Sequence, residues 1–96
     1  MFAQSIYKVP DGKLLRISLD YAEDTIRAVQ IHGDFFLHPE EAIQAVEGSL
    51  AGCTLERQDI IGAVQEILDQ FGAECIGADA NSFATAILIA AGKLSP

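Results

Sequence analysis

The sequence is poor in cationic residues, and this shortage excludes one large class of partner. Only six of its 96 residues are lysine or arginine, against 14 aspartates and glutamates, and the formal net charge is −8. Proteins that bind duplex nucleic acid need many cationic side chains to displace counterions from the phosphates. We therefore expect no nucleic-acid partner, although the N-terminal cations Lys8, Lys13, Arg16 and Arg27 form a candidate anion site.

Long apolar runs and targeting signals are also missing. The longest nearly continuous apolar run covers residues 83–91, which is far short of the roughly 20 residues that cross a bilayer. Residues 1–5 have neither the basic and apolar regions of a secretory signal nor an Arg- and Ser-rich leader. We expect no membrane partner and a cytoplasmic location.

Cysteine is scarce, and the two thiols do not form a motif. Cys53 and Cys75 stand far apart without a Cys-x-x-Cys pair, and two cysteines alone cannot complete a zinc or iron–sulfur set. Two small buried side chains in a reducing compartment are favoured, with a disulfide or a catalytic thiol as the alternatives. His32, Asp34 and His38 form the only metal-like cluster, and we predict no metal site there.

Alternating polarity predicts three short antiparallel strands over residues 5–9, 13–20 and 25–32. The turn at 9–12 suits a bulged hairpin, in which proline takes the second position of a type I turn and Gly12 is the left-handed residue. In the third strand Ile26 is out of phase with the later apolar residues. This shift predicts a bulge near residues 27 and 28.

From Pro39 onward the apolar period changes from two to about 3.6, which predicts three helices. The first begins at Pro39 and ends at Gly52, the second covers 56–70, and the third covers 80–91. We interpret Glu40, Glu41 and Glu47 as helix-dipole complements or solvated residues. Strands followed by helices predict an α+β protein, and we expect residues 1–96 to form a single domain.

Several motif residues connect these elements in a distinctive order. They are Lys8, Gly12-Lys13-Leu14, Gly33-Asp34-Phe35-Phe36, Pro39-Glu40 and Leu50-x-Gly52. Over residues 6–52 this order and spacing resembles the accessory domain of lipoate–protein ligases, which follows a catalytic domain or, in archaeal split ligases, is a separate small subunit. The resemblance implies a three-stranded antiparallel sheet packed against about three helices, similar to the SufE/NifU-like fold. That class's cysteine ligands are missing here, so its metal function does not transfer.

The resemblance also implies a function. The chain would be the accessory subunit of a two-component lipoate–protein ligase, forming a heterodimer with a separate catalytic subunit for ATP-dependent conversion of lipoate to lipoyl-AMP and hence protein lipoylation. ATP, Mg and lipoate would be bound through the catalytic subunit, and the lipoyl acceptor domain would be met indirectly. A stand-alone interaction or scaffold module of the same fold is the alternative, and a small enzyme in its own right is a weaker one.

The motif residues divide into binding candidates and structural candidates, with no catalytic residue among them. Lys8, Gly12 and Lys13 are candidates for holding phosphate, adenylate or the partner, because hairpin pairing is expected to bring the two lysines together; two solvated lysines are the alternative. The structural motif comprises Gly33, Asp34, Phe35, Phe36 and Pro39. We expect the Asp34 carboxylate to bind nearby backbone N–H groups, and one phenylalanine to enter the core while the other faces a neighbour.

The third predicted helix is apolar on nearly all sides. A helix of this kind must be covered all round, and a small domain has little material to do so. A central core helix and a protein interface both fit the pattern. We favour the interface, with Phe83, Ile87 and Ile89 as the contact candidates.

Overall fold

The computed structural model describes residues 1–95 and has the predicted α+β architecture. The elements in chain order are β1 (Phe2–Lys8), β2 (Leu14–Ala22), β3 (Thr25–Gly33), β4 (Phe36–His38), α1 (Ala42–Leu50), α2 (Arg57–Gln70), β5 (Glu74–Ile76) and α3 (Ala80–Ala90). Strands β1, β2 and β3 form an antiparallel meander, and β4 and β5 form a separate two-stranded ribbon. None of the helices within 1–95 is long and apolar enough to cross a membrane.

The register of the meander follows the hydrophobic alternation of β2. Leu15, Ile17 and Leu19 point to one face and are almost fully buried, as a half-buried strand requires. The predicted bulge is confirmed: Asp20 pairs with Ala28 while Tyr21 pairs with Ile26. Arg27 is therefore the extra residue in β3. The bulge returns the Ile26 side chain to the core.

The β1–β2 turn differs from the prediction in one respect. Asp11, and not Gly12, has the left-handed conformation, with φ of 55°. A positive φ at the third position of a turn that follows proline is a feature of type II turns. The Gly12 N–H donates to the Val9 carbonyl oxygen at 2.9 Å and closes the turn.

The segment after β3 also differs from the prediction. Pro39 was expected at the first helical position, but α1 begins at Ala42, and residues 39–41 form a turn in which the Ala42 N–H donates to the Pro39 carbonyl oxygen. Residues 36–38 form strand β4 instead, which pairs with β5. Each of these strands has three residues, which is too short for alternation to be visible in the sequence.

The three helices lie close to their predicted bounds. Gly52, Gly72 and Gly92 follow α1, α2 and α3 respectively with positive φ, as C-terminal glycines commonly do. Helices α1 and α2 each bury one face, and their fully or nearly fully buried residues are Ala42, Val46, Leu50, Ile60, Val64 and Leu68.

Helix α3 is the central element of the core and not an interface helix. It packs against β1 and β2 on one side and against α2 on another. Phe83 and Ile87 are fully buried within this chain, so neither can contact a partner while the fold is intact, and both predictions for them as interface residues are wrong. The strands of the meander supply the cover that the sequence alone did not reveal. Ile89 is partly exposed and remains an interface candidate.

This placement predicts opposite behaviour for two neighbouring isoleucines of α3. Ile87→Glu would bury an unpaired carboxylate and should cost about 3 kcal/mol or more in free energy of unfolding, whereas Ile89→Glu should cost less than about 1.5 kcal/mol because its side chain reaches solvent. Urea unfolding followed by circular dichroism measures both variants. Equal destabilisation of the two would contradict a core position for this face of α3.

Candidate functional site

The motif residues converge at one end of the molecule, where three loops meet. These loops are the β1–β2 turn at 9–13, the joint between β3 and β4, and the segment between β5 and α3. The Lys13 N–H donates to the Gly77 carbonyl oxygen at 2.9 Å, and the Asp34 N–H donates to the Leu14 carbonyl oxygen at 3.1 Å. We call this region the motif end. Backbone hydrogen bonds hold these three loops together.

Three glycines make this approach possible. A methyl group at Gly12 would overlap the Gly77 carbonyl oxygen, one at Gly33 would overlap the Leu14 carbonyl oxygen, and one at Gly77 would overlap the Lys13 side chain. Gly77 also has φ of 95°, which side-chain-bearing residues rarely adopt. Gly77 was not predicted as a motif residue, because its partners are distant in the chain. Gly12 and Gly33 therefore have a structural role in the close packing of loops.

Lys8 is the last residue of β1 and is not paired with Lys13. Lys8 lies opposite Leu14 in the register, so the expected cross-strand contact between the two lysines is absent from the strand pairing. The Lys8 ammonium donates to the Val9 and Gly12 carbonyl oxygens at 2.8 and 2.7 Å. Such charge-assisted bonds hold the turn closed. Lys8 thus has a structural task in addition to any binding task.

Lys13 is the more available of the two binding candidates. Its side chain is exposed, and its aliphatic stem lies against the bare α-carbon of Gly77. A long stem held at its base directs the ammonium into solvent beyond the motif end. This arrangement can present one cation to an anionic group on another molecule.

Phe35 contacts the core while Phe36 is exposed, so the two side chains point in different directions, as predicted. The Phe35 ring packs edge-on against Phe83 of α3, with ring centroids 5.3 Å apart and an interplanar angle of 75°, which is a favourable aromatic geometry. Phe36 is 55% exposed and lies opposite Ile76, which is 56% exposed, on the β4–β5 ribbon. Phe35 anchors the joint to the core, and Phe36 contributes to a small exposed apolar pair.

The remaining polar candidates do not assemble into a reactive centre. Within residues 1–95 no three His, Cys, Asp or Glu side chains are placed to hold a metal ion, and His32, Asp34 and His38 therefore do not form such a group. We predicted that the Asp34 carboxylate accepts hydrogen bonds from nearby backbone N–H groups. Within residues 1–95 it accepts none, and Asp34 instead donates its own N–H to the Leu14 carbonyl oxygen.

Both thiols are free and half-buried. Burial raises the pKa of the Cys53 thiol, with a further contribution from the charge of Asp59. Burial also raises the pKa of the Cys75 thiol. A raised pKa keeps a thiol protonated near neutral pH and lowers its reactivity, which favours a structural role for both cysteines.

Glu47 has a role that the sequence analysis missed. Its carboxylate oxygen Oε2 accepts a 2.7 Å hydrogen bond from the N–H of Ile31. Ile31 lies on β3, an edge strand of the meander, and this N–H points away from β2. Glu47 therefore satisfies an edge donor and is more than a solvated helix residue. No local signal could have revealed this, because the two residues lie on different elements.

The comparisons with known proteins agree with this architecture. The model of the family described as "Bacterial lipoate protein ligase C-terminus" matches residues 7–87. The "Lipoate-protein ligase A subunit 2" of Thermoplasma acidophilum is 41% identical over 49 residues, which is 50% of this chain and 52% of that protein. The matched segment thus spans about half the length of this curated relative.

A solved structure resembles the chain over a longer range. It is a chain from the archaeal lipoylation system of Thermoplasma acidophilum, described as a bi-partite lipoate protein ligase and its E2 lipoyl domain. The TM-score is 0.77 at 28% identity, and the match covers 91% of this chain and 94% of the other. Since the family model also spans most of the sequence, the chain belongs to the lipoate protein ligase C-terminus family.

Proposed function

We propose that this chain is the accessory subunit of a split lipoate–protein ligase, and that it acts with a separate catalytic subunit in ATP-dependent formation of lipoyl-AMP. The observation that carries the proposal is the nearly complete match, in both directions, to a chain of the bi-partite ligase structure. A match of 91% and 94% means that the two chains share one small fold over almost their full lengths.

The chemistry of the motif end supports an accessory role over a catalytic one. ATP-dependent ligation needs a site for Mg²⁺ and phosphates, and residues 1–95 offer no cluster of metal-binding side chains. The backbone N–H of Lys13, which could otherwise contact a phosphate, is bonded to Gly77. These two observations support our assignment of ATP, Mg²⁺ and lipoate to the catalytic subunit.

Lys13 is the residue of this chain that we expect to contribute to adenylation in the complex. A single ammonium projecting from a rigid turn can stabilise negative charge on phosphate or adenylate held by the partner. The same cation can instead bind a carboxylate of the partner.

Reconstitution tests the proposed function directly. The chain alone should form no lipoyl-AMP, and adding it to a catalytic subunit that lacks its own C-terminal domain should raise lipoate-dependent AMP formation by roughly tenfold or more, as expected for a subunit needed in the transition state. Thin-layer chromatography of labelled adenylate measures both. Full activity of the catalytic subunit alone would contradict the proposal and would favour a stand-alone interaction module.

Two lysine variants separate a binding role from a structural one. In the reconstituted complex Lys13→Ala should lower adenylation by roughly threefold to tenfold, with an unchanged melting temperature, because its side chain is exposed. Lys8→Ala should lower the melting temperature of the chain by a few degrees, because the Val9 and Gly12 carbonyl oxygens each lose a charged donor.

The control is Lys93→Ala. Lys93 follows α3 and pairs with Asp24 of the β2–β3 turn, at the other end of the meander. Adenylation at saturating subunit concentration should be normal for this variant. If Lys13→Ala behaved like Lys93→Ala, Lys13 would be a solvated residue without a role in the reaction.

A further inference from the structure

One face of the meander is not covered by any helix of residues 1–95. The buried face meets α3 and α1, while the opposite face is exposed along all three strands. We call this opposite face the open face. Its exposed side chains include Phe2, Gln4, Ile6, Lys8, Arg16 and Gln30.

Strand β1 adds an edge to this face with which no strand of residues 1–95 pairs. In an antiparallel pair, alternate residues bond to the neighbouring strand and the others direct their N–H and C=O groups away from it. The Val9 N–H bonds to Lys13 and the Met1 carbonyl oxygen accepts from Tyr21, which fixes the odd-numbered residues as the bonded set. The backbone groups of Phe2, Gln4, Ile6 and Lys8 therefore point to the free edge. Their side chains lie on the open face.

The other edge of the meander is protected. The Ile26 N–H donates to the Cys53 carbonyl oxygen at 2.8 Å, and the Ile26 carbonyl oxygen accepts from the Gly52 N–H at 2.7 Å. Glu47 satisfies the Ile31 N–H. Proteins cap edge strands in this way to prevent unwanted pairing, so the contrast with β1 is informative.

The edge of β1 has almost none of the usual protective devices. Phe2–Lys8 contains no proline, no glycine and no bulge, and its single charged residue stands at one end. Phe2 is 85% exposed and Ile6 is 65% exposed. A regular edge strand that also presents large apolar side chains is suited to pairing with another strand.

The charge of the open face indicates the chemistry of the partner. Lys8, Arg16 and Arg27 lie on it with one carboxylate, Asp20, which is 3.9 Å from Arg27, in a chain whose net charge is −8. An acidic partner surface would be attracted here. A second copy of this chain would add the same three cations and the same single carboxylate to the open face, so it offers no complementary charge.

We propose that β1 is the docking strand for the catalytic subunit, which adds an extended strand to the free edge. The added strand places apolar side chains next to Phe2 and Ile6 and carboxylates next to Lys8 and Arg16. This inference rests on the proposed function, since it identifies the surface through which that complex forms.

Two exposed isoleucines provide a matched test. Isothermal titration of the full chain with the catalytic subunit should show that Ile6→Glu weakens binding roughly tenfold or more. The new carboxylate would lie against apolar side chains and carboxylates of the added strand. Ile76→Glu, on the β4–β5 ribbon, should bind with an affinity within about twofold of the wild type. Arg16→Glu should also weaken binding, with a loss that decreases at high salt. Unchanged circular dichroism spectra show that each variant is folded.

The outcomes separate this inference from the proposed function. Tight binding by Ile6→Glu, or loss of binding by Ile76→Glu alone, would overturn the β1 surface and leave the split-ligase function intact. Wild-type dimers that dissociate on Ile6→Glu substitution, seen by sedimentation, would assign the edge to a second copy and overturn the inference. No complex with the wild type would overturn the proposed function, and this inference with it.

Discussion

The close approach of three backbones at Gly12, Gly33 and Gly77 is the constraint on which the rest of the structure depends. It joins the first hairpin to the segment that leads into α3. That connection places Phe35 against Phe83 and fixes where α3 enters the core. A side chain at any of these glycines would force the loops apart, because the atoms it would meet are carbonyl oxygens or a side chain already in place.

Burial of α3 then determines which surfaces remain for a partner. The meander uses one face to cover this helix, so its other face and the β1 edge are left open. Glu47 and the loop after α1 form hydrogen bonds with the edge of β3 and not with the edge of β1. The asymmetry between the edges supports the proposal that another chain pairs with β1.

The sequence was sufficient for features whose signal is local. The three long strands, the bulge at Arg27 and the three helices follow from alternation, phase shift and glycine C-termini over neighbouring residues. Features that depend on distant partners were missed or wrong: the β4–β5 ribbon, the Glu47 bond to Ile31 and the requirement for Gly77. The interface role predicted for α3 was wrong for the same reason, since the strands that cover Phe83 and Ile87 come from the other end of the chain. The left-handed conformation of Asp11 was not predicted, because proline suits both type I and type II turns.

The central claim is that the motif glycines act through backbone packing, and five glycine-to-alanine variants test it most directly. Gly12→Ala, Gly33→Ala and Gly77→Ala should each lower the free energy of unfolding by about 1 to 3 kcal/mol, since overpacking or a strained φ is costly. Gly48→Ala and Gly62→Ala, at open helical positions, should raise it by about 0.5 to 1 kcal/mol. Full stability of the three motif variants, with loss of ligase stimulation in the reconstituted complex, would contradict the account and assign these glycines to ligand binding.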